Sequence, residues 1–286
     1  MKVLILGASG MLGSTLMWTL NQHNQDVYGT SRKHYDKLDV FGDRMYTGVQ
    51  NIDDIKYIIH TLKPCIVINC IGIIKQKPAS DNEFIYMNAI FPKTLQHICQ
   101  LNACKLIHYS TDCVFDGSQN IPYTEYNMCT TSDMYGISKY LGELHNDNAI
   151  TLRTSIIGHE LKDHVSLIDW FLRQSVVHGY TKAIYSGLPA VEHAHILLHY
   201  VFPNIHKLYG LYHVSADPIS KYDLLALVKE VYNHDCELHK NDTVYDYKVL
   251  DSTKFITETG YKRKEWKSMI EDMYRVYNEF NMSKVL

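Results

Sequence analysis

The stretch Lys2-Val3-Leu4-Ile5-Leu6-Gly7-Ala8-Ser9-Gly10-Met11-Leu12-Gly13 decides the fold. Val3–Leu6 is an apolar run without alternation, the mark of a strand buried on both faces. Three glycines spaced by two residues follow it directly and lead into helical periodicity through Leu16, Met17 and Leu20. Glycines between a first strand and a first helix permit a tight turn. They also let backbone amides approach a pyrophosphate at the helix amino terminus. Gly7, Ser9, Gly10, Met11, Leu12 and Gly13 are therefore expected to bind a dinucleotide. The GxxGxxG spacing differs from the GxGxxG of ordinary dehydrogenases.

Strand-like and helix-like segments alternate through the rest of the first half. Asp26–Thr30 reads as a strand and Ile52–Leu62 as a helix, with Asp53 and Asp54 where the helix dipole favours carboxylates. Cys65–Cys70 follows Pro64 as a buried strand, and Glu83–Leu101 is expected to be a long helix interrupted near Pro92. Lys105–Ser110, Asp133–Asn146 and Ile150–Thr154 read as strand, helix and strand. Repeated βα units predict a Rossmann-type α/β fold, a doubly wound parallel sheet with a smaller α/β substrate-binding domain. The expected division is 1–157 for a dinucleotide domain, with some later segments returning to it, and 158–286 mainly for substrate. No Pro/Gly/Ser linker marks a sharp boundary.

The 286 residues are 46% hydrophobic and 21% charged, which excludes disorder and low-complexity architecture. Twenty-eight Lys and Arg against 31 Asp and Glu leave a net charge of −3, so no nucleic-acid or membrane partner is expected. No apolar stretch approaches the roughly 20 residues of a membrane span, and Gly7 arrives too soon for a signal peptide. Seven Cys without a CxxC pair read as free thiols in a reducing cytoplasm. His193, His195 and His199 include an i, i+4 pair. With only Glu192 nearby as a further ligand they read as packing or surface residues, and no metal is expected.

The end of the second strand discriminates between cofactors. An NAD site places Asp or Glu there for the ribose hydroxyl, whereas Thr30-Ser31-Arg32-Lys33 has no acid. Arg32 can pair with a 2′-phosphate, with Ser31 as a further donor, so NADP(H) is expected, with Asp39 and Val40 flanking the adenine. Tyr135-Gly136-Ile137-Ser138-Lys139 sets Tyr and Lys at i, i+4 on one helix face, where an ammonium lowers a phenol's pKa. Upstream, the strand through Ile107-His108-Tyr109 delivers Ser110-Thr111-Asp112 at a carboxyl end, where parallel sheets bind ligands. A Thr hydroxyl there can hydrogen-bond a reacting carbonyl.

These residues resemble the extended short-chain dehydrogenase/reductases, and within them the dTDP-4-dehydrorhamnose reductase group. The resemblance rests on Gly7–Gly13, Ser110–Gly117, Tyr135–Lys139 with Gly142-Glu143, and Leu152-Arg153-Thr154-Ser155. It implies a catalytic triad of Thr111, Tyr135 and Lys139, and a carboxyl-terminal region that holds a nucleotide sugar. Cofactor contacts are expected to extend to Cys70, Ile71, Gly72 and Ser155, and substrate contacts to Lys75, Thr111, Cys113 and Lys182. A homodimer is left open.

Three departures stand out: Cys113 replaces a Tyr of the rhamnose enzymes, Ile156 replaces a Trp, and Asn69–Gln76 has a different form. With Lys182–Pro189, that last segment is similar to the branch acting on UDP-2-acetamido-2,6-dideoxy-L-hexos-4-uloses. The resemblance then implies reduction of a UDP-sugar C4 ketone. A prior C3 epimerisation would use Cys113 and His164 as acid and base. Two alternatives remain: a dTDP- or UDP-4-dehydrorhamnose reductase, and a non-catalytic subunit like the one that binds methionine adenosyltransferase. Cys113 stands where 4,6-dehydratases carry Glu, which disfavours dehydration.

Overall fold

Val3 and Ile5 of β1 (Lys2–Leu6) enter one hydrophobic core while Leu4 and Leu6 enter another. That opposition is why the run is continuously apolar. The computed structural model describes residues 1–283. Residues 284–286, the end of the expected second region, lie outside the described residues.

Five further strands complete the first half: β2 (Asp26–Ser31), β3 (Met45–Thr47), β4 (Ile66–Asn69), β5 (Lys105–Thr111) and β6 (Ala149–Thr154). The second half adds β7 (Ile156–Ile157), β8 (Val176–Tyr185), β9 (Leu188–Pro189), β10 (Gly210–His213), β11 (Ile219–Ser220) and β12 (Glu237–Lys248). Seven strands form a sheet in the order β3-β2-β1-β4-β5-β6-β10, and every neighbouring pair is parallel. The chain reverses its direction of travel between β1 and β4, so a crevice forms at their carboxyl ends. This is the Rossmann-type α/β architecture that the glycine stretch predicts.

Helices α1 (Met11–Gln22) and α2 (Ile52–Leu62) cover opposite faces of the sheet. The expected helix Glu83–Leu101 begins earlier and has three parts: α3 (Asp81–Ile85), a π turn at Tyr86–Ile90 and α4 (Phe91–Leu101). The irregularity is the π turn. Pro92 lies just past the π turn in a helix that runs on through Ile90, and it has no N–H for the Asn88 carbonyl four residues earlier. Helix α5 (Met134–Leu141) is shorter than the expected Asp133–Asn146. It ends at Gly142, where an added Cβ would lie 1.8 Å from the Asn88 carbonyl oxygen. Beyond it, Thr151 Oγ1 binds both the N–H and the carbonyl of Leu144, each at 2.9 Å, and holds the chain out of helix.

The second half contains α6 (Leu167–Phe171), α7 (Ala190–Ile196), α8 (Lys221–Val231), α9 (Thr253–Thr259) and α10 (Trp266–Met282). Its own sheet has the order β11-β8-β12. Yet β10 returns to the large sheet, and α7 and α10 share a core with α1 through Ala194, Met269 and Leu16. No helix among the described residues is long and apolar enough to cross a membrane.

Candidate functional site

A cavity of about 430 Å³ opens along the carboxyl ends of β1, β4, β5 and β6. Its lining runs from Gly10, Met11 and Leu12 through Asn69–Lys77 to Thr111, Cys113, Tyr135, Lys139 and Ser155. Cys70, Ile71, Gly72 and Lys75 all belong to it.

The glycine turn is shaped by steric necessity. Gly7 has φ +80°, a left-handed conformation that favours glycine. A Cβ at Gly13 would lie 2.3 Å from the Gly7 carbonyl oxygen, so α1 approaches β1 more closely than any side chain allows. Gly10 caps α1 without a side-chain acceptor, and the first turn carries no acid. Gly10, Met11 and Leu12 line the cavity at the positive end of the helix dipole, an environment that fits a dinucleotide pyrophosphate.

Thr111 ends β5, and its oxygen accepts the Cys113 N–H at 3.1 Å. Asp133 caps α5 by accepting the Gly136 N–H at 2.8 Å, which sets the helix that presents Tyr135 and Lys139. Asn88, in the π turn, braces this helix against the opposite cavity wall. Its amide donates to Ser138 Oγ at 3.1 Å and to the Ile73 carbonyl at 3.0 Å, while its Oδ1 accepts the Ile73 N–H at 2.9 Å.

Burial governs the electrostatics. It pushes the Tyr135 phenol above its ordinary value, aided by Cys113 and opposed by the neighbouring Thr111 hydroxyl. The expectation that Lys139 lowers this phenol is not met. The Lys139 ammonium donates instead to the Tyr109 carbonyl at 2.6 Å, and burial lowers it to about 8. Cys113 is pushed up to about 12 by burial and Asp112, the reverse of what an abstracting base needs.

Behind Thr111 and α5 lies a buried ion pair. Arg153 donates Nε to Glu143 Oε1 at 2.8 Å and Nη2 to Oε2 at 2.5 Å, and both side chains are 1% exposed. Ser110 donates to the same carboxylate at 2.6 Å. Arg153 Nη1 lies 2.9 Å from His213 Nε2. Burial lowers His213 to about 3, so its ring is neutral. That assigns Nε2 as the acceptor from Arg153 and Nδ1–H as the donor to the Tyr123 carbonyl at 3.0 Å.

Several expected residues lie elsewhere. Ser31 is buried, and its hydroxyl donates to the Lys33 carbonyl at 2.7 Å, so its proton is engaged. Arg32 is exposed at the end of β2 and outside the cavity lining. Asp39 and Val40 are outside that lining too. They sit exposed on a 3-10 segment, Asp36–Arg44, with Asp39 3.5 Å from His34. His34, Asp36 and Asp39 are the only grouping of metal-type ligands among the described residues, all three exposed.

His164 is not a cavity residue. Its ring lies 3.2 Å from Asp169 Oδ2, a carboxylate that also takes His159 at 2.6 Å, and Val165, Ser166 and Leu167 form the wall. Lys182 points outward because β8 alternates. Ala183 and Tyr185 are buried, while Lys182 lies 3.7 Å from Asp242 in solvent. Lys75 lines the cavity but pairs with Asp133 at 3.0 Å. Among the clustered histidines, His193 is buried edge-on against Tyr109, and His195 and His199 lie ring to ring at 4.4 Å.

Sequence reasoning missed Tyr185 and Lys221, which bring the second half to the cavity. Tyr185 lies within the Lys182–Pro189 segment, where strand parity would have chosen it over Lys182. For Lys221 the only local signal was Ser220-x-x-Asp223, which marks a helix start and says nothing of what it faces.

This geometry defines a Rossmann-type α/β protein with a Thr, Tyr and Lys set at the carboxyl edge of its sheet. A family model described as RmlD substrate binding domain matches residues 1–279, and the chain belongs to that family. The dTDP-4-keto-6-deoxy-D-glucose reductase of Streptomyces niveus is 28% identical over 142 residues, 49% of this chain and 45% of that one. Methionine adenosyltransferase 2 subunit beta of Rattus norvegicus is 24% identical over 174 residues, 56% of this chain and 48% of that one. The chain thus spans about half the length of these two curated relatives. The crystal structure of dTDP-4-dehydrorhamnose reductase from Bacillus anthracis in complex with NADP has a TM-score of 0.78. At 23% identity over 96% of this chain and 98% of that one, it establishes the fold.

Breaking the buried pair tests its place in the site. Arg153→Met leaves the Glu143 carboxylate uncompensated, which costs about 3–5 kcal/mol of unfolding free energy, measured by urea denaturation. Glu143→Leu combined with Arg153→Met is expected to recover at least half of that loss, because no charge is stranded. A single variant as stable as the parent contradicts the assignment.

Proposed function

We propose that this protein is an NADPH-dependent 4-ketoreductase of nucleotide-linked 6-deoxysugars, acting on a UDP-2-acetamido-2,6-dideoxy-L-hexos-4-ulose. The observation that carries the reading is the convergence of Thr111, Tyr135 and Lys139 on one cavity that begins at the glycine turn of α1. In it, residues 1–157 serve mainly the dinucleotide and 158–286 mainly the sugar nucleotide.

Bound NADPH supplies the hydride. Tyr135 gives the proton to the ketone oxygen, and its raised pKa keeps that proton in place throughout the physiological range. Thr111 donates to the same oxygen. Its oxygen accepts the Cys113 N–H at 3.1 Å and its proton goes to Asp112 Oδ1 at 3.3 Å, so giving that proton to a ketone means leaving the longer of these two bonds. Lys139 brings positive charge beneath the reacting centre and, through Tyr109, ties α5 to β5.

The UDP amino-sugar assignment rests on where the chain departs from the rhamnose reductases. The departures Cys113, Ile156 and Asn69–Gln76 all line this one cavity, as does Tyr185 of the Lys182–Pro189 segment. Departures gathered along the cavity that would hold the sugar favour a different sugar over a dTDP-4-dehydrorhamnose. Epimerisation at C3 is disfavoured, because Cys113 is pushed up to about 12 and His164 is turned to Asp169. The similarity to the methionine adenosyltransferase subunit supports a non-catalytic second reading, against which stands the assembled Thr, Tyr and Lys set.

NADPH oxidation with enzymatically made UDP- and dTDP-linked 4-keto-6-deoxy sugars separates these readings. The UDP amino sugar is expected to be reduced most efficiently. Tyr135→Phe should lower kcat by roughly 10²–10⁴ without weakening NADPH binding. No oxidation with any ketone would leave the non-catalytic reading.

Cofactor preference is expected to follow Arg32. A charge-assisted pair with the 2′-phosphate contributes about 1.5–3 kcal/mol, or roughly ten- to hundredfold. Arg32→Ala should raise KM for NADPH by that factor and leave KM for NADH unchanged. Equal efficiency with both cofactors in the parent would overturn the assignment.

A further inference from the structure

We propose that Lys221 is a specificity-determining residue that holds the oxygen on C3 of the sugar, beside the reacting C4 carbonyl; the inference rests on the reductase reading above. Lys221 opens α8, just after the capping residue Ser220, and is partly buried. It lines the same cavity as Thr111, Cys113 and Tyr135, and its ammonium lies 3.5 Å from the centre of the Tyr185 ring. An ammonium over an aromatic face keeps its remaining N–H donors directed elsewhere.

The groups around it place it at the reacting end. Asp112 and Cys113, immediately after Thr111, act on its charge, as do Asp246 and Lys248 of β12. Burial lowers the ammonium to about 8, and Asp112, Asp246 and Cys113 oppose that fall while Lys248 adds to it. The cation is therefore retained at neutral pH in a partly dry wall, where a hydrogen bond to it is stronger than in water.

Sugar chemistry narrows the partner. In a 4-keto-6-deoxyhexose, C4 is flanked by C5, which bears a methyl group, and by C3, which bears a hydroxyl. With the ketone oxygen at Thr111 and Tyr135, a cation on the wall beside Cys113 meets the C3 substituent. The competing assignment is the diphosphate, since lysine is a common phosphate ligand.

Calorimetric titration of the NADP⁺-loaded protein distinguishes the two, with dTDP-L-rhamnose compared with dTDP, and UDP-N-acetylglucosamine compared with UDP. Lys221→Met is expected to weaken the sugar nucleotides by at least about tenfold, the size of one charge-assisted hydrogen bond. The nucleoside diphosphates should shift by less than about twofold on the same scale, and Lys221→Arg should retain most of the affinity. NADPH affinity equal to the parent's certifies that each variant is folded. An equal loss for dTDP and UDP overturns the proposal in favour of the diphosphate. No loss for any ligand overturns it in favour of packing on Tyr185. A parent that prefers neither sugar nucleotide to its nucleoside diphosphate overturns it as well. A parent that shows the Lys221-dependent preference but oxidises no NADPH sinks the reductase reading and with it the C3 assignment, leaving Lys221 as a contact to the sugar.

Discussion

Two charges that water does not reach, Glu143 and Arg153, set the strand that carries Thr111 against the helix that carries Tyr135 and Lys139. Glu143 follows α5, Ser110 on the same carboxylate precedes Thr111, and Arg153 lies on β6. Through His213 the network continues into β10, the strand that the second half returns to the large sheet. A buried pair of this kind is weak evidence for net stability, since its desolvation offsets much of its attraction. What it does here is exclude alternatives: sliding α5 along β5 would strand a carboxylate or a guanidinium in the core. The Thr, Tyr and Lys set therefore keeps its spacing although its members come from two separate elements.

The same low-polarity surroundings explain the direction of every strong shift in the cavity. Tyr135 and Cys113 rise, and Lys139 and Lys221 fall to about 8, each with burial as the leading cause. Burial holds the Tyr135 proton on the phenol and makes it harder to release to a carbonyl oxygen, and it likewise holds the proton on the Cys113 thiol. A thiol so held does not suit abstraction of a carbon-bound hydrogen. Reduction asks Tyr135 for a proton it carries, whereas epimerisation asks Cys113 to have lost one, and burial opposes that loss.

How much was legible in the sequence depended on whether a residue's role is local. The glycine turn, the i, i+4 Tyr and Lys, and the strand-end Thr declare themselves because backbone geometry alone puts them at one sheet edge. The order of βα units likewise gave away the parallel sheet. Lys182 and His164 were misplaced because strand parity turns the first outward and the carboxylate of Asp169 captures the second. Asp39 and Val40 lie off the cavity because the chain after β2 coils into a 3-10 segment. Lys221 carried no motif. Only the packing of the second half brings it to Cys113, and no local pattern encodes that.

The proposed reaction moves a hydride in this cavity onto a sugar-nucleotide ketone. The direct measurement is the fate of the label when a UDP- or dTDP-linked 4-keto-6-deoxy sugar is incubated with NADPH carrying deuterium at both hydrogen positions on C4 of the dihydronicotinamide. Deuterium at C4 of the product sugar, in step with cofactor oxidised, is the expected result. Cofactor oxidation without label in the sugar, or no oxidation with any such ketone, would contradict it.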